Sequence, residues 1–492
     1  MITAIRHRIE RPAIVSCFQR SRIANLSRRV LLISIGFLVV PGDASGAIQN
    51  TRLQPSVPVT RDISGSDTHE YRVPLRAGQA LHVVAQQLGV DLVVTVSAPD
   101  GAPIVEMDSP NGANGPESVW IMAAADGEYA IRVRGLNAAG RGRYELRVET
   151  LRDGTAEDRS RVELQDALLV AQVLFARSDA DARLGALDNF KRAAAAARRL
   201  KDNAALSAIN TYLLNLDPEG ALQSSGLPSA PGDTPVYYSR GFEQRALDVR
   251  GRLTAPMKFF ESKLQVRPLL VVAVLARDDW TQLTAFPPYG YPFSINPSLL
   301  AKPSARALLC LPATAGPDVP AEVARASQAA GIPAEHGMRL TDDFFLYHEL
   351  SHIYADAYGI TSWNNVVREF MAAFLEVAYH AQVSFDTRDR LFYETWLTPG
   401  NWASGQQPKN TSLDDFERLL VGVDNYGWYQ AQFEKRAEIL YKAQGLAFLE
   451  GVKAAFPHGT PRLTVPETLA RLEKISPGFI EWAERLSRPP NR

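Results

Sequence analysis

Cysteine is nearly absent: Cys17 and Cys310 are the only two in 492 residues. Cys17 falls in an N-terminal leader expected to be removed, which leaves one thiol and excludes a disulfide within the mature chain. Cys310 sits in an apolar run and reads as core packing rather than as a nucleophile. Neither sign of charge is in surplus, with 53 Lys and Arg against 54 Asp and Glu. There is therefore no basic footprint for nucleic acid. No apolar run reaches the roughly 20 residues that a membrane-spanning helix needs. Histidine is scarce too, at 8, so its clustering carries information.

The leader is the exception to the even charge. Residues 1–47 hold seven Arg (6, 8, 11, 20, 22, 28 and 29) and two acids, Glu10 and Asp43. The eleven-residue apolar run Val30–Val40 follows the arginines, and the small residues Ala44-Ser-Gly-Ala47 suit signal peptidase. Ser27-Arg28-Arg29-Val30-Leu31-Leu32 resembles a twin-arginine export signal. Removing a net +5 takes the formal charge from −1 to −6. The expected mature chain is soluble, has no transmembrane anchor, and is exported to the periplasm or outside a bacterial cell.

Residues 348–352 read His-Glu-Leu-Ser-His within a helical pattern. Histidines four apart project from one helix face, where both can hold a Zn²⁺ at about 2.0–2.1 Å. Glu349 lies roughly 100° further round, beside such a metal and placed to act as a general base for a water molecule. Phe344, Phe345, Leu346, Leu350 and Ile353 surround the motif, and buried helices seldom hold such polar groups idly. Thr341, Asp342 and Asp343 are the expected N-caps. After Gly359, apolar residues at three- and four-residue spacing from Val366 to Ala378 predict a second helix. Glu369 lies on it, with sixteen residues between it and His352. That separation lets a second helix fold back and offer a third ligand.

The string Glu369-Phe-Met-Ala-Ala-Phe-Leu-Glu376 after HExxH resembles the gluzincin zinc metallopeptidases. The resemblance implies one Zn²⁺ per chain on His348, His352 and Glu369, Glu349 as base, and Glu376 supporting the ligand histidines. It also implies a tyrosine donor to the oxyanion ahead of a later helix. Tyr429 is the better match and Tyr426 the alternative. The chain departs from the family in a shorter spacing to Glu369 and in Phe370 where glycine is usual. It also lacks the Gly-x-Met-Glu-Asn string of the aminopeptidase branch, which favours endopeptidase activity or a narrow peptide specificity. Leu264–Val274 predicts a buried strand, and Ala305–Pro312 the edge strand on which a substrate would align. His336 and His380 read as structural.

Upstream, the hydrophobic period switches to two. Tyr71, Val73 and Leu75, then Tyr129, Ile131 and Val133, then Tyr144, Leu146 and Val148 alternate with polar neighbours. This predicts a β-sandwich of seven or eight strands, and the stretch resembles the pre-peptidase C-terminal domain of secreted peptidases. The expected fold is multidomain α+β, comprising an all-β sandwich, a short helical connector, and a mostly helical zincin-type domain with a small sheet. The boundaries are 1–47 signal peptide, 48–68 linker, 69–151 sandwich, 156–215 helical connector expected to pack on the catalytic domain, 216–234 linker, and 235–492 metallopeptidase domain. The stretch Ala313–Pro333 is expected to be a long loop. The expected function is an exported zinc peptidase that hydrolyses peptide bonds with a metal-activated water. Its partners are a peptide or protein substrate and, for the sandwich, a surface or polymer ligand. The competing readings are a non-catalytic exported scaffold and a zinc amidase acting on cell-wall peptide.

Overall fold

The computed structural model describes residues 51–487, apart from 56, 66, 110, 178, 285–286, 317–318, 361–363, 384–385, 399–407, 420–422 and 458–459. The expected signal peptide and Cys17 lie outside the described residues. The chain divides into two compact units, Met1–Tyr212 and Leu213–Arg492. It is β-rich first, then mostly helical with a small sheet.

The first unit holds nine strands among the described residues. They are β1 Thr51–Arg52, β2 Val59–Ser64, β3 Thr68–Leu75, β4 Gln79–Leu88, β5 Leu92–Ser97, β6 Pro103–Met107, β7 Asn114–Met122, β8 Gly127–Gly135 and β9 Arg141–Asp153. One sheet runs β1-β3-β8-β5-β6 and the other β2-β9-β4-β7. Alternate residues point inward, so Tyr71, Val73, Leu81, Val83, Val94, Ile131, Val133 and Leu146 share one core. The expected linker 48–68 is corrected here, because β1 and β2 lie within it. Val59, Arg61 and Ile63 alternate, β2 pairs along β9 from Val59↔Leu146 to Ser64↔Arg141, and Ile63 is buried. Pro55 and Pro58 both precede this strand and leave its ladder intact.

Three helices follow: α1 Ala156–Phe175, α2 Ala180–Leu200 and α3 Asn203–Leu216. Thr155 and Asp158 form a capping box that starts α1. The first helix of the expected connector packs on the sandwich. Arg152 on β9 pairs with Asp158 at 2.6 Å, and the Gln165 amide bonds both the N–H and the carbonyl of Trp120 at 2.8 and 3.0 Å. Gln165 thereby occupies the free edge of β7, where another strand would otherwise pair, and α1 belongs with the sandwich.

The second unit opens on a segment expected to be a linker. Asp217 instead caps α4 Pro218–Ser224, and Pro218 stands at its first turn, where proline starts a helix. The strands β10 Ser229–Ala230, β11 Val236–Tyr238, β12 Leu270–Leu275, β13 Phe293–Ile295 and β14 Ala307–Pro312 form one sheet in the order β10-β11-β12-β14-β13. β11, β12 and β14 are parallel, and β13 is antiparallel to β14. β14 is therefore interior, and the expected edge strand is displaced by β13. A six-residue run buried on both faces needs a partner on each side.

The helices are α5 Glu243–Leu264, α6 Arg277–Leu283, α7 Val319–Ala330, α8 Ala334–Tyr358, α9 Asn365–His380, α10 Thr387–Trp396, α11 Leu413–Leu419, α12 Val423–Gln444, α13 Ala447–Ala455, α14 Val465–Ile475 and α15 Phe479–Ser487. α7 occupies the stretch expected to be a loop. α8 begins at Ala334, so Thr341, Asp342 and Asp343 lie inside it and cap nothing. The two acids pair instead with Arg245 and Arg252 of α5. Leu346, Leu350 and Ile353 of α8, Phe370 and Phe374 of α9, Phe433 of α12, and Leu270, Val272 and Val274 of β12 join one core. α9 thus packs between α8 and α12. No described helix is long and apolar enough to cross a membrane.

Candidate metal centre

The site is built where α8, α9 and α12 meet. α8 carries His348, Glu349 and His352 and ends at Gly359, whose φ of 101° turns the chain. Asn364 accepts from the Val367 N–H at 3.2 Å and starts α9. The return brings Glu369 against the histidines. His348 Nε2 lies 3.2 Å and His352 Nε2 3.6 Å from Glu369 Oε2. The imidazole rings stand perpendicular with centroids 4.8 Å apart. One ligand atom from each of the three residues falls within 4.8 Å of the others. All three side chains are buried.

Two imidazoles and one carboxylate are a donor set that zinc accepts, and the electrostatics fit a cation. Burial opposes protonation of His348, but the Glu369 and Glu376 carboxylates outweigh it and push its pKa up to about 10. Burial holds His352 below its ordinary value against the pull of Glu369. Burial would raise Glu369, yet His352, His348 and Arg368 hold it well below the usual carboxylate range. The carboxylates of Glu369 and Glu376 thus favour positive charge at His348, as they would favour a cation in the pocket.

Glu376 stands behind the site with its Oε2 3.5 Å from His348 Nδ1. Among the described residues, neither that nitrogen nor either Glu376 oxygen has a partner in ordinary hydrogen-bond geometry. Burial pushes Glu376 up to about 7. Glu349 points to the sheet, where Ser294 of β13 donates to its Oε2 at 2.7 Å. Asp356 is committed elsewhere, accepting from the Ser298 N–H and hydroxyl at 2.8 and 2.6 Å.

The two tyrosines named from the sequence have different partners. Tyr429 is buried against Phe416, with ring centroids 4.9 Å apart, and donates to the Ser412 carbonyl at 2.7 Å. Tyr426, nearly one turn earlier on α12, donates to Glu369 Oε2 at 2.7 Å. Burial first, then the Glu369 charge, hold its phenol well above the ordinary value, so it remains a donor. Sequence reasoning missed two further residues. Gln430 donates to Glu369 Oε2 at 3.0 Å. The carboxyl of Glu434 is held well above its usual range by burial and by Glu376. The signal lay in the spacing, since 426, 430 and 434 recur at four-residue intervals and so share one face of the helix. Of the outlying histidines, His336 pairs with Asp389 at 2.7 Å. His380 is half-buried and stacks on Tyr393, and desolvation of its ring pushes it down to about 3.

No protein-family model and no curated protein sequence matches the chain. Among solved structures, it is similar to the pre-peptidase C-terminal domain of a Bacillus anthracis collagenase, at 15% identity and a TM-score of 0.18, over 21% of this chain and 96% of that one. It is likewise similar to Aeromonas hydrophila PliG, a periplasmic inhibitor of g-type lysozyme, at 18% identity and a TM-score of 0.17, over 21% of this chain and 97% of that one. The Clostridium perfringens CspB protease is similar at 15% identity and a TM-score of 0.15, over 20% of this chain and 26% of that one.

Proposed function

We propose that this chain is an exported zinc-dependent metallopeptidase of the gluzincin type, acting as an endopeptidase or with a narrow peptide specificity. The observation that carries the reading is the convergence of His348, His352 and Glu369 donor atoms within 4.8 Å in a buried pocket, with Glu349 next to His348 on the same helix and its carboxylate held by Ser294. Export rests on the Arg-rich leader and its apolar run.

His348, His352 and Glu369 would hold the metal. When bound, zinc supplies Lewis acidity that polarises a carbonyl and acidifies water. Glu349 takes a proton from the attacking water as the C–O bond forms, and delivers it to the amine nitrogen as the C–N bond breaks. Tyr426 gives its phenol hydrogen bond to the carbonyl oxygen as that oxygen gains charge. Gln430 holds Glu369 in place. The substrate backbone adds to β13, whose outer edge has no strand partner among the described residues.

Elemental analysis tests the reading. The wild type is expected to carry one zinc per chain and His352→Ala none. Hydrolysis of labelled casein is expected to stop with a chelator and resume with zinc. A wild type that takes up no zinc on reconstitution overturns the proposal and favours the scaffold reading.

A further inference from the structure

The inference rests on Glu349 as the base of the proposed peptidase and concerns what aims it. β13 is a three-residue edge strand paired to β14 with Ser294 opposite Leu309. Side chains alternate along it, so Phe293 and Ile295 share one face and Ser294 takes the other. Phe293 meets Trp280 edge-on at 5.3 Å and Ile295 is buried. Ser294 is left facing α8, where its hydroxyl donates to Glu349 Oε2 at 2.7 Å. A one-residue slip in register would turn it away.

Four residues on, the same segment touches the same helix again through Ser298 and Asp356. Glu349 and Asp356 are seven residues apart, two turns on one face and about 10 Å along the axis. Between the two contacts the chain leaves β13 after Ile295 and enters a short 3-10 turn, Pro297–Leu299. The segment therefore runs beside α8 in the direction of the helix, attached at both ends of the stretch that carries His352.

We infer that these two attachments form a clamp between the edge segment and α8, with Ser294 as the positioning residue that aims the Glu349 carboxylate. The clamp sets the gap between the strand that would receive substrate and the helix that would carry the base.

Crystal structures and kinetics of three variants test this. Threonine and valine are both tolerated in strands, and only threonine keeps the hydroxyl. In Ser294→Ala and Ser294→Val the Glu349 carboxylate is expected to leave its wild-type position, and in Ser294→Thr to keep it. On labelled casein, kcat is expected to fall roughly 10- to 100-fold in Ser294→Ala and Ser294→Val, with KM and zinc content little changed. Ser294→Thr is expected to recover most of the loss. Adding Ser294→Ala to Glu349→Gln should cost nothing further, because the group being aimed is gone. An unmoved Glu349 carboxylate in Ser294→Ala, or a raised KM at constant kcat, overturns the inference while leaving the peptidase reading intact. Full activity in Glu349→Gln overturns the reading itself.

Discussion

At the scale of single residues, the two tyrosines of α12 separate chemistry from packing. Tyr426 reaches Glu369, whereas Tyr429 reaches a backbone carbonyl inside the core. Tyr426→Phe is expected to lower kcat by at least roughly tenfold and, through the lost hydrogen bond to Glu369, to cost about 1–3 kcal/mol of stability in the metal-free protein. Tyr429→Phe is expected to cost about 1 kcal/mol of stability for its lost hydrogen bond with kcat unaltered. Steady-state kinetics and urea unfolding on both variants distinguish the roles. Glu349→Gln is expected to keep zinc and lose at least roughly 100-fold in rate, which elemental analysis and casein hydrolysis check together. The histidine pair was legible in the sequence because two side chains one helical turn apart need only their own backbone to meet. Tyr426 was not distinguished from Tyr429 because the rotation of α12 about its axis is set by the core it packs against.

At the scale of elements, the site depends on the turn from α8 into α9. Gly359 ends the first helix in a left-handed conformation and Asn364 caps the second. The Asn364 amide also donates to the Leu463 carbonyl at 3.1 Å. Asn364→Ala therefore removes a cap worth about 1 kcal/mol and leaves a buried carbonyl unpaired at roughly 1–3 kcal/mol more. Denaturant unfolding of the zinc-free protein should register that combined loss. The period-two and helical patterns made most elements legible. The short pieces β2, α4 and β13 escaped notice because each draws its order from a neighbour. β2 borrows it from β9, and β13 from β14 and α8.

At the scale of the whole molecule, the candidate centre behaves as a buried charge that a proton or a metal must balance. Neighbouring carboxylates hold a proton on His348 up to about pH 10 in the metal-free state. Zinc can bind only by displacing that proton. Binding near pH 7.5 is therefore expected to release about one proton per zinc, and apparent affinity to rise about tenfold per pH unit between roughly pH 7 and 8.5. Calorimetry in buffers of different ionisation enthalpy measures both. Zinc should also raise the unfolding temperature, because it binds the folded pocket and not the dispersed ligands of the unfolded chain.

The division between local and global information follows from the range of the forces involved. Side-chain period, capping residues and the four-residue histidine spacing act within a few residues, and these were readable along the chain. They gave the alternation of the sandwich strands, the helices that follow, and the pairing of His348 with His352. Strand order, the edge position of β13, the attachment of α1 to the sandwich and the facing of Tyr426 arise from contacts between residues far apart in sequence. Those contacts come from burying apolar surface, which is non-directional, so only the packed molecule selects among the arrangements that the same local pattern allows.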